Sequence, residues 1–260
     1  MARAIIAGAG ALPGLLLQSG PAHVVRMQGV ESDPLDAPEI VARFEQFGAL
    51  FAALRDAGVQ DVAFAGAIGR PAFDPSLMDP ETMTLMPRVA AAMGQGDDAL
   101  LRTVAAIFEE AGFRVVGALD LRPDLAMTEG AVFGTPGDAQ RADAARARAV
   151  LDVLGPLDVG QAAVAAKGQV IGIETLQGTD AMLRFVGASL PASGGVLVKR
   201  PKPGQDLRMD TPAIGPATVM KAAEAGLSGV EIAAGSVLVL DQEGVIGACE
   251  ASGLALWAAS

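Results

Sequence analysis

Short apolar runs alternate with longer amphipathic stretches through the first half of the chain. Residues 3–7, His23–Met27, 61–65 and 113–118 are runs of the kind that fills parallel strands buried on both faces. Between them, residues 42–57 carry Phe44, Phe47, Leu50, Phe51 and Leu54 at helical spacing, and Gly58 follows as a stop. Residues 97–111 predict a second helix. Asp97 stands where a cap belongs, Asp98 favours the positive end, and Gly112 ends it. Strands alternating with helices predict an α/β fold with a Rossmann-like parallel sheet.

The pattern changes after residue 128. Residues 128–137 (TEGAVFGTPG) are rich in Gly and Thr and read as a linker. A charged helix over Asp138–Leu154 follows, read as a solvated surface helix. Ala162–Ala166 and residues 169–174 predict a hairpin turning at Lys167-Gly168. A short helix (179–186), a strand (195–199), a polar loop, a helix (216–225) and further strands complete a second α/β domain. The predicted organisation is residues 1–130, a linker at 131–137 and residues 138–260, with the boundary near residue 135.

The window 4–25 holds no Asp, Glu, Lys or Arg, but Gly8, Gly10, Pro13, Gly14, Gly20 and Pro21 interrupt it. A spanning helix needs about 20 mostly apolar residues in one piece. A signal peptide needs an unbroken apolar centre. The window therefore predicts a strand, a glycine turn and a helix, and with them a cytoplasmic protein.

Composition narrows the chemistry. The 260 residues include 19 Lys+Arg and 30 Asp+Glu, a net charge of −11. Bulk nucleic-acid binding needs a basic footprint, so none is expected. The chain has one His (His23), one Cys (Cys249) and no Tyr. A lone Cys makes no internal disulfide, and one His with one Cys makes no His/Cys metal cluster. His23 reads as a strand residue and Cys249 as a small buried one. Catalysis must rest on carboxylates, Lys/Arg, hydroxyls, backbone groups or a bound cation.

Four segments could carry it. The turn Gly8-Ala9-Gly10-Ala11-Leu12-Pro13-Gly14 follows the first strand, where backbone N–H groups can approach a phosphate. Pro13 stands where the dinucleotide fingerprint has its third glycine, and a tight strand-to-helix turn explains the segment equally well. The loop from Lys199 to Pro212 gathers Lys199, Arg200, Lys202 and Arg208 with Asp206 and Asp210. Cations with interspersed carboxylates suit a phosphorylated ligand with Mg²⁺ or Mn²⁺. The segment from Glu174 to Asp180 offers Gly178, Thr179 and two acids, with helix capping as the plainer explanation. Gly94-Gln95-Gly96-Asp97-Asp98 reads as a helix cap. A Met-rich stretch (Met78, Met83, Leu85, Met86, Val89, Met93) could adapt to acyl chains, although core packing explains it more simply.

In this order, the segments resemble the UDP-2,3-diacylglucosamine pyrophosphatase family of lipid A biosynthesis, of the type found in bacteria such as the α-proteobacteria and unrelated to the metallophosphoesterase-fold enzyme of the same step. The stretches that carry it are IIAGAGALPG, FAGAIGRP (64–71), GDDALLR (96–102), LDVGQAAV (157–164), ETLQGTDAMLR (174–184) and KRPKPGQDLRMDTPAIGPAT (199–218). The chain departs from the family pattern at Ala9, Ala67 and Thr211. The resemblance implies Mg²⁺-dependent hydrolysis of UDP-2,3-diacylglucosamine to UMP and 2,3-diacylglucosamine 1-phosphate. It also implies two domains with the lipid and nucleotide held between them, a homodimer, and Asp210 as the metal-binding catalytic aspartate of an R-x-D-x-P pattern. Lys199 and Lys202 match its lysines, and Thr179 and Asp180 its acidic turn.

On that footing Asp210 is the expected metal ligand, with Asp206, Asp180 and Glu174 as helpers. Lys199, Lys202 and Arg208 are expected on the pyrophosphate. Gly8, Gly10, Ala11, Leu12 and Pro13 are expected to face the UDP moiety, and Gly178, Thr179 and Gln205 to contact substrate. A diacylated substrate implies transient contact with the inner-membrane surface. Two other classes compete: a nicotinamide-nucleotide oxidoreductase using Glu31 or Asp33 as its ribose acid, and a non-catalytic nucleotide-sugar-binding protein.

Overall fold

In a computed structural model, residues 2–69, 73–190 and 194–260 are described. They form two compact units. The first comprises residues 1–122 with Asp206–Asp210, the second Pro123–Gln205 with Thr211–Ser260.

The first unit runs β1 (Ala2–Ala7), α1 (Leu12–Leu17), β2 (His23–Met27), β3 (Glu39–Ala42), α2 (Phe47–Asp56), β4 (Val59–Ala65), α3 (Pro80–Met93), α4 (Asp97–Glu110), β5 (Arg114–Val115) and α5 (Ala118–Leu121). Its five strands are all parallel, in the order β3-β2-β1-β4-β5. The sheet is buried because helices cover it, which is why the four residues Ala4–Ala7 are all buried. Phe51 and Phe64 meet Phe108 edge-on, at ring distances of 5.1 and 5.2 Å. This geometry favours aromatic pairs and locks α2 and α4 onto β4.

Several boundaries differ from the sequence expectation. The stretch 42–57 is a strand end, a turn and then a helix starting at Phe47. β3 is an edge strand with Glu39 and Val41 exposed, so it lacks an apolar run. The strand expected over 113–118 keeps only Arg114 and Val115, because the Gly117 N–H donates to the Asp120 carboxylate at 2.8 Å and starts α5. The Met-rich stretch is α3. Val89 is buried and Leu85 packs on the core, while Met83 is exposed.

Arg114 grips Asp61 with two hydrogen bonds, at 2.8 and 2.7 Å. That contact holds the Asp61 carboxyl below the usual aspartate range, against the opposing cost of burial. A carboxyl with a depressed folded-state pKa stabilises the fold above its unfolded value, and the gain is lost as pH falls through the folded one. Acid denaturation below about pH 4, the ordinary aspartate value, should therefore be less steep in Asp61→Asn than in the parent, as read by circular dichroism against pH.

The second unit runs β6 (Gly130–Phe133), α6 (Asp138–Leu154), β7 (Ala162–Ala166), β8 (Gln169–Ile173), α7 (Gly178–Ser189), β9 (Val196–Lys199), β10 (Ala213–Ile214), α8 (Pro216–Glu224), β11 (Gly229–Ala233), β12 (Leu238–Val239), α9 (Gln242–Ser252) and β13 (Ala255–Ala259). Its main sheet is mixed, ordered β6-β13-β11-β9-β7-β8. β9, β11 and β13 are parallel; β6, β7 and β8 run antiparallel to their neighbours. Residues 130–133, inside the stretch read as a linker, pair with β13 as an edge strand, and the units divide near residue 122 rather than 135. α9 was not visible in the pattern.

The hairpin β7–β8 turns at Lys167 and Gly168, both at positive φ (53° and 77°). A type I′ turn needs that conformation at both central residues. Asp143 on α6 accepts from both turn N–H groups, at 3.0 and 2.7 Å. α6 is therefore more than a solvated helix: Asp143, Ala144, Ala147 and Leu151 are buried on its inner face. Its Arg148 pairs with buried Glu231, which also accepts from Trp257 Nε1 at 2.7 Å. Cys249 is buried, and burial pushes its thiol up to about 11. Among the described residues, no helix is long and apolar enough to cross a membrane.

Candidate functional site

The polar segment after β9 is built by its own sequence. Lys199 ends β9 opposite Ala162 of β7 and Ile232 of β11, and only 8% of it is exposed. Lys202-Pro203-Gly204-Gln205 is a tight turn closed by Gln205 N–H donating to the Lys202 carbonyl at 3.1 Å. Pro203 presets the first central residue and Gly204 takes φ +78° at the second, the requirement of a type II turn. The Gln205 side chain closes it further: its oxygen accepts from the Lys202 N–H at 2.9 Å. The Lys202 ammonium pairs with Asp158.

Asp206–Asp210 belongs to the first unit. The Met209 and Asp210 N–H groups donate back to the Asp206 carbonyl at 3.0 and 3.2 Å, forming a single helical turn. Met209 is buried in the first unit's core and anchors that turn beside half-buried Asp210. Arg208 donates through Nε and one terminal nitrogen to Asp206, at 2.9 and 2.7 Å, and through the other to Glu109 at 2.6 Å. The Arg208 contact holds the Asp206 carboxyl below its ordinary range. The two carboxylates push the Arg208 pKa higher still, so it stays charged.

The acidic turn lies in the second unit. Gly178 opens α7 at φ +81°. Thr179 follows, and its hydroxyl lies between two buried groups: it donates to Glu174 at 2.7 Å and accepts from the Lys199 ammonium at 2.9 Å. Asp180 instead turns outward to pair with Lys221. Beside this turn lies a groove of about 480 Å³ between β8 and α7, lined by Gly178, Val170, Ile171, Met182 and Phe185 among others. Phe185 is 64% exposed there.

The glycine turn sits at the carboxyl ends of β1 and β4, where the strand order reverses and open α/β sheets place their ligands. Its first glycine has a packing cause. A Cβ on Gly8 would lie 2.5 Å from the Ala67 carbonyl oxygen, because Ala9 and Ala67 exchange backbone hydrogen bonds at 2.9 Å. Gly66 has the same close approach from the other side. Gly10 is at φ +98° with open space around its missing Cβ. Ala11, Leu12 and Pro13 lead into α1, with Pro13 in the first turn, where its missing N–H costs nothing. Arg70 and Pro71, the end of the FAGAIGRP stretch, lie outside the described residues.

The structure thus joins Glu174, Thr179 and Lys199 in one chain, Lys202 with Gln205, and Asp206 with Arg208. Of the four acids, Asp206 and Asp210 belong to the first unit, Glu174 and Asp180 to the second. Among the described residues, no three His, Cys, Asp or Glu side chains converge as a metal shell. That donor set still fits magnesium, which keeps several waters and binds through one or two carboxylates plus substrate phosphates. Three partners escaped the sequence reading: Asp158, Glu109 and Lys221. Asp158 alone left a signal, since it lies within the LDVGQAAV stretch.

Comparison with known proteins covers both units. Residues 2–125 match the family described as the LpxI N-terminal domain, and residues 128–257 the LpxI C-terminal domain. The chain is 40% identical over 265 aligned residues to the UDP-2,3-diacylglucosamine pyrophosphatase LpxI of Caulobacter vibrioides, covering 96% of this chain and 94% of that protein.

Proposed function

The chain belongs to the LpxI family, and from that premise we propose that it hydrolyses UDP-2,3-diacylglucosamine, in a Mg²⁺-dependent reaction, to UMP and 2,3-diacylglucosamine 1-phosphate. Water supplies the new phosphorus–oxygen bond and the bridging bond breaks, leaving two phosphomonoesters. The observation that carries this reading is Lys199: a lysine only 8% exposed whose ammonium donates to a hydroxyl, within the most cation-rich segment of an acidic chain. A buried charge needs a partner, and a bound pyrophosphate supplies the anion.

Asp210 is the residue to hold magnesium, which when bound neutralises phosphoryl oxygens and lowers the pKa of water. Lys199 and Lys202 offer fixed positive charge to oxygens that become more negative as the bridging bond breaks. Lys202 reaches the substrate by exchanging Asp158 for a phosphate oxygen. Arg208 has three of its donors committed to Asp206 and Glu109, so its part is to brace the turn that presents Asp210. Gln205 holds the Lys202 turn. The glycine turn at Gly8–Pro13 receives the UDP moiety at the strand-order reversal.

The groove between β8 and α7 takes an acyl chain of the substrate. Its lining is mostly apolar, carries an exposed phenylalanine, and includes Gly178, the neighbour of Thr179. Phe185→Glu should raise KM for the diacylated substrate about 5- to 150-fold, as a loss of about 1–3 kcal/mol of apolar contact implies, and leave kcat within a small factor. An unchanged KM would place the acyl chains elsewhere.

The reading as a whole is tested by product identification. Phosphorus NMR of the purified protein with UDP-2,3-diacylglucosamine and Mg²⁺ should show the pyrophosphate doublets replaced by two monoester signals, those of UMP and the sugar 1-phosphate. Intact substrate after prolonged incubation would leave only a binding protein.

A further inference from the structure

We propose that Glu174 and Thr179 are positioning residues for Lys199, with Glu174 acting through the Thr179 hydroxyl and not as a metal ligand. The inference rests on Lys199 binding the pyrophosphate, as proposed above.

The direction of the hydrogen bonds is forced. An ammonium has three donors and no acceptor, so the Thr179 oxygen must accept from Lys199. A threonine hydroxyl carries one proton, and that proton faces Glu174 Oε2 at 2.7 Å. The chain therefore has one arrangement: ammonium to hydroxyl, hydroxyl to carboxylate. Both Glu174 and Lys199 are buried residues, each 8% exposed, so water does little to screen or reorient the pair.

Each member is fixed from its backbone outward. The Glu174 N–H donates to the Ala162 carbonyl at 2.8 Å, extending the β7–β8 pairing by one residue. Gly160 lies against it so closely that a Cβ would sit 2.2 Å from the Glu174 carbonyl oxygen. Thr179 is set by Gly178, whose positive φ turns the chain into α7. Lys199 is the last residue of a central strand. A lysine otherwise has a flexible four-carbon stem. Held this way, its ammonium is oriented before substrate arrives, with two further N–H donors to spend, and less ordering is lost on binding.

This arrangement makes predictions that a metal-ligand role for Glu174 does not. Thr179→Val and Glu174→Gln should each lower kcat about 10- to 100-fold, the range for a misplaced catalytic group. The Mg²⁺ concentration at half-maximal rate should not move in either. The double variant should be no slower than the slower single one. Thr179→Ser, which keeps the hydroxyl, should recover most of the rate lost in Thr179→Val. In a Lys199→Met background, neither substitution should lower the rate further. Circular dichroism of each variant checks the fold, and the Ser/Val pair at position 179 keeps the test decisive if Glu174→Gln unfolds. A shift in Mg²⁺ half-saturation in Glu174→Gln but not Thr179→Val would overturn the inference, as would additive losses. If Lys199→Met is impaired while Thr179→Val and Glu174→Gln both run at the parent rate, this inference fails and the Lys199 assignment stands. If Lys199→Met itself runs at the parent rate, the Lys199 assignment fails first.

Discussion

Asp210→Asn is expected to lower turnover about a thousandfold or more while the protein keeps its fold. Each factor of ten in rate corresponds to about 1.36 kcal/mol, and Lewis-acid stabilisation of a phosphoryl group contributes several. Asparagine preserves shape but loses the negative charge that holds a hard cation. The fold should be indifferent, because Met209, not Asp210, is the residue of this turn buried in the first unit's core. Steady-state assay beside a thermal melt checks both halves: a large drop in kcat with an unchanged melting temperature. A variant with near-parent kcat would remove Asp210 from the site.

Lys199→Met should be nearly as damaging, with kcat lower by about 100- to 1000-fold, the usual loss when one preorganised donor to a developing negative charge is removed. Methionine fills much of the same volume, so the second unit's core is spared. The loss should fall mainly on kcat, since the charge acts most on oxygens that become more negative as the bond breaks. Lys199→Arg should not restore the parent rate. The planar guanidinium fork does not reproduce a compact ammonium donating to Thr179 at 2.9 Å. A lysine variant that changes KM alone would assign Lys199 to ground-state binding instead.

The parallel sheet of the first unit was legible because a strand buried on both faces needs an unbroken apolar run, and Ala4–Ala7 is one. Gly58 and Gly112 read correctly as helix stops, and both lie at positive φ, 69° and 96°. Lys167-Gly168 read correctly as a hairpin turn. Edge strands were harder. β3 alternates exposed and covered positions over four residues, and β6 begins in a glycine-rich stretch, so each resembled a loop. α9 (QEGVIGACEAS) is built from small residues with little amphipathic contrast, and its cap, Asp241, looks like any turn acid until it is seen accepting from the Gly244 N–H.

The candidate site divides in the same way. Cation density marked the segment from Lys199 to Arg208 in a chain of net charge −11. Several of the partners were hidden because they are distant in sequence. Lys202 meets Asp158 across 44 positions, Arg208 meets Glu109 across 99, and Lys221 meets Asp180 across 41. Composition flagged Glu174 and Asp180 as equivalent acids. Packing separates them: one is buried behind a threonine, the other exposed and paired with a surface lysine.

A metal back-titration tests magnesium binding at Asp210. The parent protein and Asp210→Asn are stripped with EDTA, then assayed for UMP release from UDP-2,3-diacylglucosamine as Mg²⁺ is returned. No UMP is expected from either protein before addition, with saturable recovery in the parent and little recovery in Asp210→Asn at any Mg²⁺ concentration. UMP release by the stripped parent, or equal recovery in the two proteins, would contradict that expectation.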